Sequence, residues 1–498
     1  MKMMKSVLLG TVAGFVTVGA GQAAELPVKA PAQPVEYVKV CSAYGAGFYY
    51  MPGTDMCIKI GGYVRAEVSD PVNGSLSWGP FNGNLNTRQT NNLTVRAKGF
   101  ITADAREQTD YGIARAYISI GLQTNTIGAD NASNTFVSNR AFLQWAGFTV
   151  GLARSFYDFY NSTALNYRSG YFPTEDTADA GWYIWGYTLV LGGGWSTSVS
   201  AETRRMTQIV DAVGVAGAAS LATSGTGTGY GGWNVPDVVG NIRLDQTWGS
   251  AQIMAAGHQA NGLYYGSVAP NGHPGDAWGW VAGAGFHLNT PVISQGDYLE
   301  GEFNYTQGAL RYLNHSANTT MTFANGGDQS FGIISDCVYG SAAAVGVLPA
   351  RFGTRCETTT GWSAALGYEH YWTPQWHQSF SGAFMQVRYD NTANDLLCSF
   401  LGPTQGSGAG SAAVARGGCN NNWNYWVTGS RLQWDVTKSF YIGVEALYLQ
   451  EGTAKSANGL VPAAAGLGAA TLCSTGVCRD KDEHTWVFTL RMHKDFLP

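Results

Sequence analysis

The chain has 498 residues and a net charge of −5, with charged residues at 13% and glycine at 66 positions; ordinary soluble domains carry ~25% charged residues and about 7% glycine. Low charge, high glycine, 16 Trp and 26 Tyr argue against a string of soluble domains and suit a large β-protein whose outer surface is not all in water. Mild acidity excludes a nucleic-acid partner, which needs a basic face.

Residues 1–23 read as an export leader. Lys2 and Lys5 precede an apolar stretch from Val7 to Ala20, and Gly21-Gln22-Ala23-Ala24 offers small residues for cleavage after Ala23, with Ala24 the alternative. The apolar stretch is too short to span a bilayer, which takes roughly 20 residues. Removal of its two lysines leaves 27 basic against 34 acidic residues, a net charge of −7. No later segment reaches 18 consecutive apolar residues, so a helical membrane protein is excluded. Residence in a membrane then requires a closed barrel, because only helices and barrels satisfy every backbone group in lipid. Pro27, Pro31 and Pro34 mark residues 24–56 as an N-terminal segment, expected to act as a periplasmic spacer.

From residue 57 a period of two takes over. Ile58, Ile60, Gly62, Val64, Ala66 and Val68 share one face, and Lys59, Tyr63, Arg65, Glu67 and Ser69 the other. Val95, Ala97, Gly99, Ile101, Ala103 and Ala105 alternate with Arg96, Lys98, Thr102, Asp104 and Arg106. Ala114, Ala116, Ile118, Ile120 and Leu122 alternate with Arg115, Tyr117 and Ser119, and Leu432, Trp434 and Val436 with Arg431, Gln433 and Asp435. Such segments are strands with one apolar and one charged face. About sixteen are expected, near 57–69, 91–105, 111–122, 135–145, 148–154, 182–191, 194–204, 238–248, 250–260, 277–289, 297–308, 361–372, 376–389, 423–436, 439–450 and 484–496.

Short and long connections alternate along this series. Ala146-Gly147, Gly192-Gly193 and Thr437-Lys438 are tight, whereas 205–237, 309–360, 390–422 and 451–483 are long and rich in Gly, Ala, Ser and Asn. A soluble sandwich has no reason to sort its loops in this way. A transmembrane antiparallel up-and-down β-barrel does, with short periplasmic turns and long external loops. The strands approach the 9–11 residues a tilted spanning strand needs. Aromatics near strand ends (Trp145, Phe148, Trp248, Trp372, Trp376, Phe440, Tyr441 and Phe496) are expected to form interfacial girdles. Residues 57–498 are therefore read as one barrel of the all-β class, in contact with outer-membrane lipid and lipopolysaccharide.

Eight cysteines fit an oxidising compartment. Sequence does not fix connectivity, but spacing favours the local pairs Cys41–Cys57, Cys337–Cys356, Cys398–Cys419 and Cys473–Cys478. Free or metal-binding thiols are the alternative, although no pair has the spacing of a zinc site. No cofactor or metal is expected.

Three stretches resemble the alphaproteobacterial outer-membrane porin family: Val35–Glu67 (VEYVKVCSAYGAGFYYMPGTDMCIKIGGYVRAE), Arg140–Gly151 (RAFLQWAGFTVG) and Pro236–Gln252 (PDVVGNIRLDQTWGSAQ). The resemblance implies sixteen strands, a homotrimer, and passive diffusion of small hydrophilic solutes and ions across the bacterial outer membrane. Resembling barrels end on an aromatic residue, whereas this chain continues Phe496-Leu497-Pro498.

A wide barrel needs something to narrow it. The resemblance implies that the third long loop, 155–181, folds inward as a constriction bearing Asp158, Glu175, Asp176 and Asp179. Lys59, Arg65, Arg96, Lys98 and Arg115 would face it. Acids on one wall and bases on the other set up a transverse field in a poorly screened passage. The alternative for each charge is a solvated wall or external position.

Other signals are weak. Gly227, Gly229 and Gly232 match a dinucleotide fingerprint, but no helix is expected after them. His370 and His377 flank the Thr373–Gln375 turn and are read as interfacial side chains before a metal pair. No nucleophile elbow or zinc-protease motif is present. A substrate-specific channel, a barrel enzyme and a secreted adhesin remain as alternative readings.

Overall fold

The computed structural model describes residues 39–71, 84–85, 91–126, 133–174, 181–212, 229–265, 270, 272–314, 320–325, 327–340, 353–400, 418–456, 459–461 and 478–496. The leader, the three prolines after it, Glu175, Asp176, Asp179 and Cys473 lie outside the described residues.

Sixteen long antiparallel strands make one sheet. The first eight are β1 (Cys57–Pro71), β2 (Thr94–Thr109), β3 (Gly112–Asn125), β4 (Ser133–Trp145), β5 (Phe148–Ala153), β6 (Trp182–Gly192), β7 (Trp195–Glu202) and β8 (Asp237–Gln246). The second eight are β9 (Gly249–Asn261), β10 (Asp276–Asn289), β11 (Tyr298–Gln307), β12 (Thr360–Tyr371), β13 (Trp376–Arg388), β14 (Trp423–Thr437), β15 (Phe440–Gly452) and β16 (Glu483–Asp495). Each pairs with its predecessor, and β16 returns to β1 with Tyr63 opposite Asp495 and Pro71 opposite Val487. Closure leaves the long strands no open edge. The expected bounds hold closely; β2 departs most, running to Thr109 where 105 was expected.

The faces are sorted as a membrane requires. On β1, Ile60, Val64 and Val68 are exposed to the outside, while Glu67 and Ser69 are buried within. Val95 and Ile101 of β2 are likewise exposed, and Arg96, Lys98 and Asp104 enclosed. A soluble sandwich would show the reverse. The arrangement has a large energetic reason, since one Arg or Lys on the lipid face at the midplane costs about 2–4 kcal/mol.

Tight turns close one end of the barrel. Between β4 and β5 the chain turns on Ala146 and Gly147, with φ of 49° and 89°. Two-residue hairpins of this kind demand positive φ at both central positions. A Cβ on Gly147 would also stand 2.8 Å from the Thr188 carbonyl oxygen, so glycine is required there. Around this rim Trp145, Phe148, Trp248, Trp372, Trp376 and Phe496 are exposed, as girdle residues should be. Tyr441 is a correction: it faces inward and stacks on His493 at 4.7 Å. It follows Phe440 directly, and successive strand residues point to opposite faces.

At the other end the described parts of the long connections fold into the barrel. The inward faces of β13 to β15 turn apolar there, with Met385, Val387, Trp423, Tyr425, Val427, Leu447 and Leu449 buried. They form one core with Phe323, Phe331 and Ile333 of the 308–359 connection and Leu397 of the helix Asn391–Phe400. The simple alternation of charged and apolar faces therefore fails near the loop end, because those strands have loop side chains on their inner side instead of water. Cys337–Cys356 and Cys398–Cys419 are disulfides within these connections. Cys41–Cys57 ties the segment before β1, whose Tyr49–Tyr50 pairs with Ile58 and Cys57, to the start of β1. Cys478 is also disulfide-bonded.

Candidate functional site

Residues 154–174 of the connection from β5 to β6 run along the inner wall. Their backbone is held by carboxylates that the strands point inward. The N–H of Phe156 donates to Glu202 at 3.1 Å, that of Tyr160 to Glu302 at 2.7 Å, and that of Asn161 to Glu300 at 2.6 Å. Farther on, the N–H groups of Tyr167 and Arg168 both donate to Glu445, at 2.6 and 3.0 Å. The Tyr157 hydroxyl donates to Asn304 at 2.8 Å, and Ser379 donates to the carbonyl of Leu165. Arg168 reaches Ser69 of β1 at 3.2 Å. A buried N–H must find an acceptor, and the inward carboxyl groups supply one to each of these amides. The loop thus follows the wall from β7 to β1.

Small wall residues make room for it. A Cβ on Gly367 would overlap Leu165, and one on Gly443 would overlap the Tyr167 hydroxyl. Burial pushes the phenols of Tyr157, Tyr167 and Tyr171 up, that of Tyr171 to about 12, so all three stay neutral.

The five basic residues singled out from sequence all project inward from β1, β2 and β3. Glu67 gathers three guanidiniums: Arg65 at 3.4 Å, Arg96 through Nε at 2.6 Å, and Arg491 of β16. Lys98 is buried with its ammonium 4.9 Å from the Phe100 ring centre. Arg115 and Arg106 grip Asp104 from two sides, each through Nε and Nη2 at 2.8 to 3.0 Å. Arg115 also donates to Gln144 at 2.9 Å. Lys59 stands opposite Asp104 in the β1–β2 register.

Accessibility divides the lumen. The Arg106 and Arg115 side chains keep 27% and 25% of their surface, and Lys59, Tyr63, Arg65, Tyr117, Arg140 and Gln144 are partly exposed. On the far wall Glu202, Glu300, Glu302, Glu369 and Glu445 are buried beneath the loop. The water-accessible side is the inner face of β1 to β4.

Asp158, of the four loop acids, pairs with Arg205 of the 203–236 connection at 2.9 Å, and both are buried. Around it Tyr230, His258, Asp237 and Asp336 form a buried hydrogen-bonded group, with Tyr230 Oη 2.6 Å from Asp336 and His258 Nδ1 2.8 Å from Asp237. Sequence reasoning missed these loop anchors and the inward Glu series. Alternation already placed Glu300, Glu302 and Glu445 on the inner face, which was the available signal. His370 and His377 sit on opposite faces: His370 packs edge-on to Trp372 at 4.3 Å outside, and His377 meets Glu369 inside.

Residues 25–472 match the family model described as Porin subfamily. Porin Omp2b of Brucella melitensis is 28% identical over 260 residues, 50% of this chain and 64% of that protein. Porin Omp2b of Brucella suis is 29% identical over the same shares. The match thus spans less than two thirds of these relatives' length. The crystal structure of the outer membrane channel DcaP of Acinetobacter baumannii superposes with a TM-score of 0.57 at 12% identity, covering 90% of this chain and 99% of that one, which shows a shared fold. The chain belongs to the Porin subfamily, and its place is the outer membrane.

Proposed function

We propose that the protein is a water-filled channel for passive diffusion of small hydrophilic solutes and ions. One observation carries this reading: charged side chains on the inner face of β1 to β4 still reach solvent inside a barrel whose exterior is apolar. The inner stretch 154–174 narrows the passage by occupying the opposite wall. Basic groups (Lys59, Arg65, Arg96, Lys98 and Arg115) line one side. The loop acids Glu175, Asp176 and Asp179 supply the opposing charge in this reading, and the resulting field favours small hydrated, dipolar solutes over apolar ones.

The working form is a homotrimer in lipopolysaccharide-containing membrane, exported by the leader 1–23 and carrying no catalytic function. Conductance that rises linearly with salt, together with liposome swelling that falls smoothly with sugar size, supports this reading. Saturable block by a single sugar or amino acid would favour a substrate-specific channel, for which the aromatic stack of Tyr63, His493 and Tyr441 on the inner wall is the supporting feature.

A further inference from the structure

At the turn end most connections between strands have two residues, and 372–375 has four; the β10–β11 connection, Thr290 to Asp297, has eight. Its tip is Pro291-Val292-Ile293, with no charged residue before Asp297. Val292 is 96% exposed and Ile293 65%. The connection is nevertheless well built. The Thr290 N–H donates to the Asp297 carbonyl at 2.8 Å, the Ile293 N–H to the Thr290 carbonyl at 3.1 Å, and the Ser294 hydroxyl to the Tyr371 carbonyl at 2.7 Å.

Asp297 anchors the end of this connection to β12. Tyr298 and Glu300 face inward, so Asp297 lies on the outward side of β11. Its carboxylate is wholly buried there, accepting from the outward Tyr368 hydroxyl, from His370 Nδ1 at 2.8 Å and from the Tyr371 N–H at 2.8 Å. A buried carboxylate on a lipid-facing surface needs donors, and here β12 supplies three. The end of the turn is thus tied to the outward face of β12. The neighbouring turns on either side carry outward Trp248 and Trp372, both exposed, and Asn289 is hydrogen-bonded to the first of these turns at 2.8 Å.

We infer that the Thr290–Asp297 turn is a membrane anchor, whose Val292 and Ile293 insert into the periplasmic leaflet beside the Trp248 and Trp372 girdle residues. The exposed, uncharged tip has none of the described residues of this chain covering it, and the tryptophans on both sides mark the same interfacial layer. The side chains give the barrel a fixed depth at this sector.

Spin labels test this in the full-length protein. No free thiol exists among the described residues, so Val292→Cys and Ile293→Cys can each be labelled selectively. The variants are reconstituted into phosphatidylethanolamine–phosphatidylglycerol vesicles, and collisions with oxygen and with a water-soluble nickel chelate are compared. Ile253→Cys, outward on β9, is the lipid-facing reference, and Lys438→Cys, in the β14–β15 turn, the aqueous one. Both tip labels should show the oxygen excess of Ile253→Cys. Nickel-dominated collisions like those of Lys438→Cys would overturn the inference. So would suppression of both collision rates, which marks a protein cover, either a second copy of this chain or a periplasmic partner.

Discussion

The Glu445 carboxylate holds the backbone N–H of Tyr167 at 2.6 Å, and its other oxygen holds that of Arg168. A strand residue near the end of the chain thus fixes the course of a loop 278 residues earlier. Removing it by Glu445→Ala orphans two buried amides, each worth about 1–3 kcal/mol. The loop should loosen while the barrel persists. Single-channel records of the variant should show larger and noisier conductance, and records indistinguishable from the parent would count against the loop as the constriction.

The double variant Asp176→Asn/Asp179→Asn removes two acids assigned to the passage while leaving the basic wall of β1 to β3 in place. Its reversal potential in a salt gradient should move towards anions. An unchanged potential would place these acids outside the conducting path.

Opening Cys398–Cys419 by serine substitution at both positions frees a connection whose ends are 21 residues apart. Chain-entropy reasoning assigns a closure of this size about 3 kcal/mol. The effect should stay local, because the sixteen-strand ladder does not depend on that link. Limited proteolysis should cut within 389–422 faster than in the parent, with the barrel's heat-modifiable mobility in gels retained; loss of that mobility would show that the loop supports the barrel itself.

Asp328 joins two external connections, with Arg479 Nε at 2.6 Å and Lys481 Nζ at 2.8 Å. Burial alone would raise its carboxyl, but hydrogen bonds from Lys481 and Arg479 outweigh burial and hold it below the usual carboxylate range. A depressed value means the bridge contributes fully above about pH 4, the ordinary aspartate value, and is lost as pH falls through the lower folded value. Both cations are more than half exposed, so salt weakens the bridge as well. Hydrogen exchange at Arg479, whose N–H bonds the Gly327 carbonyl, should be faster in Asp328→Asn than in the parent at pH 7. That difference should vanish in acid, and a difference that persists there would contradict the assignment.

The strands were legible because their signal is local. Val64, Arg65, Ala66 and Glu67 display the period of two within four residues, and closure of the barrel follows from the alternation of short and long connections. The path of the inner loop was not legible, because Tyr160 meets Glu302 and Tyr167 meets Glu445 only after the barrel has closed. Asp158 could be recognised as a loop acid, but its partner Arg205 belongs to the next long connection. Tyr441 shows a different limit: an aromatic near a strand end marks a depth in the membrane, while its face depends on the phase of the strand.

Single-channel recording of the purified, folded barrel in a planar bilayer is the most direct test of the central claim that ionic side chains surround a continuous column of water. The account predicts discrete, ohmic conductance steps whose ion preference shifts when Arg115, on the water-accessible wall, is replaced by glutamate. Correctly folded barrels that insert into the bilayer and pass no current would contradict it.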